Sequence, residues 1–286
     1  MLRAGLSLMP WALVVAGCAS PPVLPPGWTL KEAEAFQQEH EGSVSGPQGP
    51  LAAVASHYVE PGQVLELGVV DGQPSLSPPA GAPRVRLSVT DEGARCLEGC
   101  GPTEVALTEP RTIALGRLTL QTSPQSGTLR VLVLDPEAPG RQAFDGLRWF
   151  PADARFIVPA RWEPDPELPS IELSTSRGLS KTFVRAGVLR AELLGQPIAL
   201  AGYRSGAVEG GPLLVPLTDE TTGTSTYPVG RYLEVALPAE GAPVLDLNRL
   251  TNPWCAYSEH FNCPVPPAEN RLPVAVEAGE EIYDQH

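Results

Sequence analysis

The side chains best suited to chemistry crowd between Thr218 and Glu280. There Asp219, Tyr227, Arg231, Asp246, Asn248, Asn252, Tyr257 and Asn270 fall between strand-like runs and around Cys255 and Cys263. An arginine set among carboxylates can serve in two ways. As a site, Arg231 would grip an anionic or carbonyl ligand through its planar fork, Tyr227 and Tyr257 would line the pocket, and Asp219 or Asp246 would act as acid or base. Asp219 and Asp246 could also imitate the carboxylate pair of a glycoside hydrolase. As structure, Arg231 would pair with a covered Asp246, while Asp219 and Asn252 would fold turns by bonding nearby amides. Alternation along the strand puts Asp246 and Asn248 on one face and Leu245 and Leu247 on the other. The ion pair is the plainer expectation. No nucleophile can be matched to a base, so catalysis is not favoured.

Other chemistry-bearing residues are sparse. With His40 at a helix end and His286 at the terminus, His57 and His260 remain, too few for a metal triad or a Ser-His-Asp set. No metal and no cofactor are expected. Trp149 and Trp162 lie in strand-like runs and should fill the core, whereas Trp254, between Pro253 and Cys255, should be exposed.

The elements that must position these residues are β-strands. With 33 Pro and 28 Gly in 286 residues, helix interiors are disfavoured, because proline removes a donor and clashes one turn back; strand edges and turns tolerate it. The length suits two cores. The sequence is read as all-β, with two β-sandwich or barrel-like domains and one short N-terminal helix. From Leu51 to Leu134 short apolar runs alternate with turn signals, as in a small antiparallel sandwich; LRVLVL is apolar enough for a central strand. After a Pro- and Gly-rich link over 135–146, the strand pattern restarts. Thr29-Leu30-Lys31-Glu32 has capping-box spacing and predicts a helix ended by Gly42, its Leu30, Ala33 and Phe36 docking on the first domain. The expected organisation is a leader over 1–17, a tether over 18–28, a helix over 29–42, an N-terminal β-sandwich over 45–138 and a C-terminal β domain over 144–284.

Residues 1–18 run from one Arg through an apolar stretch to Val15-Ala16-Gly17-Cys18, which resembles a bacterial lipoprotein signal. The resemblance implies Sec export and acylation of Cys18, the membrane being reached through this lipid anchor. An apolar run this short cannot span a core of roughly 30 Å, whereas several acyl chains hold stably. Ala19 in place of the Asp common in inner-membrane lipoproteins implies the outer membrane, on its periplasmic face or the cell surface. Without the leader, 19 basic side chains stand against 33 acidic ones, a net charge of −14. Such a surface repels phosphate backbones, so nucleic acid is excluded as a partner; an unknown small molecule, glycan or protein remains. Of the other cysteines, an exported chain should pair Cys96 with Cys100 and Cys255 with Cys263; the spacings suit a shared zinc site poorly.

The C-terminal half carries further ordered motifs. Phe144, Gly146, Phe150, Pro151 and Asp153 are followed by Asp219, Thr221, Gly223, Thr226, Tyr227, Gly230, Arg231 and Leu233. Leu245 to Tyr257 and Cys263 to Pro273 complete the series, with Ala278-Gly279-Glu280 at the end. These resemble a bacterial and archaeal domain-of-unknown-function family, number 1684; Ser56-His57-Tyr58 with Gly62 is similar to its short His-aromatic segment, which adds His57 to the candidate site. The resemblance implies that members which look cytoplasmic share the positions of Cys255 and Cys263, so packing or ligand contact stays open beside a disulfide there. The sequence reading is therefore a lipid-anchored envelope protein that binds a small molecule, glycan or protein through its C-terminal domain. The alternatives are a hydrolase-type enzyme with an Asp/Arg/Tyr site there, and a purely structural envelope lipoprotein.

Overall fold

A computed structural model describes residues 24–25, 27–125, 127–205 and 211–283. Cys18 and the leader lie outside the described residues. Among the described residues β-strand predominates, every pairing between named strands is antiparallel, and no sheet closes into a barrel.

The first nine strands are β1 (Ala53–Val59), β2 (Val64–Val70), β3 (Gln73–Ser75), β4 (Arg84–Thr90), β5 (Gly93–Glu98), β6 (Val105–Ala106), β7 (Arg111–Leu115), β8 (Leu118–Gln125) and β9 (Thr128–Leu134). They form a four-stranded sheet, β1-β9-β8-β7, and a five-stranded sheet, β3-β2-β4-β5-β6. Leu67, Leu87, Leu120, Leu129 and Val131 pack together between the sheets. β9 lies between β1 and β8 and is buried on both faces: Leu129, Val131 and Val133 enter that core, while Leu132 and Leu134 face outward onto Phe261 and Cys263. This explains why its sequence lacks alternation. A disulfide joins Cys96 and Cys100, with Cα atoms 6.2 Å apart, stapling the end of β5.

The remaining strands are β10 (Ile157–Pro159), β11 (Arg161–Pro164), β12 (Ser170–Ser174), β13 (Ser180–Leu193), β14 (Gln196–Arg204), β15 (Leu213–Leu217), β16 (Arg231–Val235) and β17 (Val244–Asp246). Six form one sheet in the order β11-β13-β14-β15-β16, with β12 also on β13, and β10 pairs with β17. A second core gathers Leu189, Leu200, Val215, Leu245, Leu247 and Leu272. Loops and 3₁₀ turns at Leu247–Arg249, Trp254–Ala256 and Ala268–Asn270 wrap this sheet.

Helix α1 spans Leu30–Ser45 and departs from expectation twice. The predicted start holds, with Glu32 accepting from the Thr29 amide at 3.1 Å. Gly42, however, lies inside the helix. Gly costs about 1 kcal/mol there, but continuing buries Val44 against Leu51 and Tyr257, and burying a valine is worth about 1.5–3 kcal/mol. The helix also docks on the C-terminal motif region: Phe36 meets Trp149 edge-on at 6.4 Å, and the Arg249 guanidinium lies 4.5 Å from the Phe36 ring.

Candidate functional site

The predicted site residues separate into buried structural groups. Arg231, at the start of β16, is 1% exposed. Its partner is Asp219, at 3.0 Å, and not the expected Asp246. The same guanidinium donates to the carbonyls of Val276 at 2.8 Å and Glu280 at 3.2 Å, and also to that of Ala278. One side chain thus ties the final segment of the C-terminal motif to the sheet. Two glycines allow close backbone approach on either side of this tie. At Gly230 (φ +113°) a Cβ would come within 2.6 Å of the Leu217 carbonyl, and at Gly279 (φ +78°) within 2.7 Å of the Leu250 carbonyl. Burial lowers the arginine's pKa and Asp219 pulls it back up; the ordinary arginine value lies so high that the group stays charged.

Asp219 also accepts from the Thr221 amide at 2.7 Å and from its hydroxyl, which lies 2.9 Å from the Thr226 hydroxyl. Asp-x-Thr followed by Thr-Tyr is therefore the wiring of a loop around one carboxylate.

Asp246 does not alternate with Asn248 along a strand, because β17 ends at Asp246 and a 3₁₀ turn begins. The Asp246 carboxylate caps that turn, taking the Asn248 amide at 3.2 Å. Asn248 in turn holds the Asp153 backbone by two bonds, of 2.8 and 3.1 Å. Burial raises the Asp246 pKa, and its Oδ2 has no hydrogen-bond partner among the described residues.

Asn270 is wholly buried between β14 and β15, which pair only at Tyr203 and Leu214. Its side chain accepts from the Ala201 amide at 2.7 Å and donates to the Ala201 and Pro216 carbonyls at 2.9 and 2.8 Å. It replaces the missing rungs of the ladder.

Asn252 donates its amide to Glu280 at 2.8 Å, and Tyr257 donates its hydroxyl to the same carboxylate at 2.7 Å. Tyr227 donates to the Cys255 carbonyl at 3.2 Å. Half-buried His57 sits on β1 opposite Val131, its pKa lowered by burial. Cys255 and Cys263 are free thiols in place of the expected disulfide. Cys255 sits in a 3₁₀ turn, its amide donating to the Cys263 sulfur at 3.3 Å.

The concave feature lies beside this network. A cleft of about 560 Å³ opens between α1, the outward side of β9 and the loops after Arg249. Arg130, Lys181 and Arg249 supply its cations, Trp254 and Phe261 its aromatic wall, and His40 reaches in from the helix. Of the predicted binding residues Asn252 reaches it, as does Cys263. Trp254 is 44% exposed, as the sequence suggested, and meets Phe261 edge-on at 5.1 Å. The Arg130 guanidinium lies 5.2 Å from the Phe261 ring and donates to the His260 carbonyl at 3.0 Å. Lys181 donates to the Asn262 carbonyl at 2.6 Å, and burial lowers its pKa. Among the described residues no carboxylate lies within ion-pair distance of these three cations. Glu234 is the acid on the cleft wall. At the rim, His40 Nε2 lies 3.3 Å from the Tyr257 hydroxyl and 3.5 Å from Glu280.

Sequence reasoning missed Arg130 and Lys181, which come from distant elements outside any local motif; Arg249 lies within the Leu245–Tyr257 motif but was given no role. His40 was set aside as a helix-end residue. The one available cue was Trp254 in its loop.

These features define an all-β, sandwich-like protein with a basic, aromatic-walled cleft between α1, β9 and the C-terminal loops, beside a buried ion-pair network. Residues 142–281 match a family described as "Protein of unknown function (DUF1684)", and the chain belongs to that family. Similar among solved structures is the solution NMR structure of an uncharacterized protein of Haloarcula marismortui, 36% identical, covering 53% of this chain and 85% of that one, with a TM-score of 0.44. No curated protein matches the chain.

Proposed function

We propose that this is a lipid-anchored cell-envelope protein, held at the outer membrane through Cys18, that binds a small anionic molecule with a planar or aromatic part in the cleft beside α1. The observation that carries this reading is the trio Arg130, Lys181 and Arg249, free of carboxylate partners in a chain of net charge −13. Three cations in one concavity of an acidic protein, held by carbonyls and rings and not by carboxylates, keep charge to offer an external anion, and charge-assisted bonds there are stronger than neutral ones. Trp254 and Phe261 supply a flat apolar wall against which a ring can lie. Asp219 and Arg231 neutralise each other behind the cleft, so the reading needs neither as a catalytic group.

The test is native mass spectrometry of the full chain purified from its host's membranes, beside Lys181→Met and Arg249→Gln variants. A bound anion in the wild type that both variants lose supports the reading. A folded wild type with nothing bound, and no uptake of small organic anions on titration, points to a structural role. The anchor is checked by Cys18→Ser, which should move the protein from the membrane to the soluble fraction.

A further inference from the structure

Among the residues that line the cleft, Asn252 is buried with its hydrogen bonding incomplete. It stands between the 3₁₀ turns at Leu247–Arg249 and Trp254–Ala256 and is 1% exposed. Its orientation is fixed from behind: the backbone amide donates to Glu280 Oε2 at 2.8 Å, and the side-chain Nδ2 donates to the Glu281 carbonyl at 2.8 Å. Because Nδ2 is committed to a carbonyl, the other end of the side-chain amide is the oxygen, which can only accept. That oxygen, Oδ1, is buried and has no hydrogen-bond partner among the described residues.

A buried acceptor left unpaired is costly, and a donor that reaches it recovers that cost. The anionic group of a ligand cannot do so. Oδ1 presents lone pairs, and the Glu280 carboxylate behind it holds both the Asn252 amide and, at 3.5 Å, His40 Nε2. The cations are seated on other groups: Arg130 and Lys181 on the carbonyls of His260 and Asn262, to either side of Phe261, and Arg249 over the Phe36 ring. The cleft therefore offers two distinct kinds of contact along one aromatic wall. Its cations suit an acid, and its buried acceptor suits an N–H or O–H.

We propose that the molecule bound here is an aromatic or heteroaromatic acid that carries an N–H or O–H donor besides its anionic group, and that Asn252 Oδ1 is the acceptor that selects it. With the cleft read as an anion site, on which this assignment rests, Arg130, Lys181 and Arg249 hold the acid and Trp254 and Phe261 hold the ring. Asn252 discriminates. Its amide is locked by two bonds before any ligand arrives, so little freedom is lost when Oδ1 accepts a third. A ligand of the same shape and charge without the donor covers Oδ1 and leaves it unpaired, so the penalty falls on the wrong ligand.

The full chain is titrated by calorimetry with indole-2-, indole-5- and indole-6-carboxylate, each beside the benzofuran that carries its carboxylate at the same position. The benzofuran keeps shape and charge and replaces the ring N–H by an oxygen. At least one indole should bind about tenfold more tightly than its benzofuran, and folded Asn252→Ala should bind the members of that pair alike. The wild-type comparison decides the ligand class whether or not the variant folds. Equal binding within every pair overturns the donor requirement and leaves the anion site standing. No binding of any of the six compounds, at low salt as at high, overturns both. A preference for the indole that survives in Asn252→Ala overturns the role of Asn252.

Discussion

Arg231 Nη2 lies 3.0 Å from Asp219 Oδ2, with both side chains sealed from solvent. The pair is the hinge pin of the C-terminal half. Asp219 organises its own loop, and Arg231 collects three carbonyls of the closing segment. Removing one partner strands a buried charge, which costs about 3–5 kcal/mol. Arg231→Ala and Asp219→Ala should each lower stability by that order in denaturant unfolding. The double variant should cost much less than the two together, because no lone charge remains. Additive losses would show that the two side chains act separately.

Asn270→Ala should be unusually harmful for a single neutral side chain. It leaves the Ala201 amide and the Ala201 and Pro216 carbonyls without the partners they have now. Each stranded buried group costs about 1–3 kcal/mol, so a loss of about 3 kcal/mol is expected. Hydrogen exchange at Ala201 gives a local readout, since its amide should lose protection before those of β13.

Asp246 sets a pH dependence whose sign follows from its burial. Burial raises the folded carboxyl above its ordinary 3.8, so the folded state holds the proton more tightly than the unfolded chain does. The stability this contributes is fully present below 3.8 and is lost as pH rises through the folded value. Asp246→Asn carries no such term. The stability difference between variant and wild type should therefore move in the variant's favour as pH rises above 3.8, whatever its constant offset. A difference independent of pH would mean that the carboxyl ionises in the folded protein as easily as in the unfolded one.

The sheets were legible in the sequence because Pro and Gly punctuate short apolar runs, and α1 because Thr29 and Glu32 cap it. The C-terminal motif was legible as a place but misleading as a pocket. Asp219, Asn248, Asn252 and Asn270 recur there because irregular backbone needs side-chain partners once it is buried, and motif spacing alone does not separate that need from ligand binding. Arg231 was matched to Asp246 by assuming a strand through Asn248; the chain turns at Asp246 instead, and Asp219 takes the arginine. The disulfide expected at Cys255 and Cys263 followed from compartment and count, neither of which sees that the turn at Trp254–Ala256 sets the Cys255 amide, and not its sulfur, on the Cys263 sulfur. The cleft was illegible for a simpler reason: β9, β13 and the turn at Arg249 each contribute one cation, and only the tertiary arrangement brings them together.

The cleft's preference for anions is the central claim, and Trp254 on its wall reports on it directly. The full chain is titrated with 1-naphthoate, and with neutral 1-naphthylmethanol as control, while tryptophan fluorescence is followed at low and high salt. The account predicts saturable quenching by naphthoate that weakens with salt and falls about tenfold or more in Arg249→Gln or Lys181→Met, in keeping with the loss of one charge-assisted bond. It predicts much weaker binding of the alcohol. Equal binding of the two probes, unchanged in both variants, would contradict it.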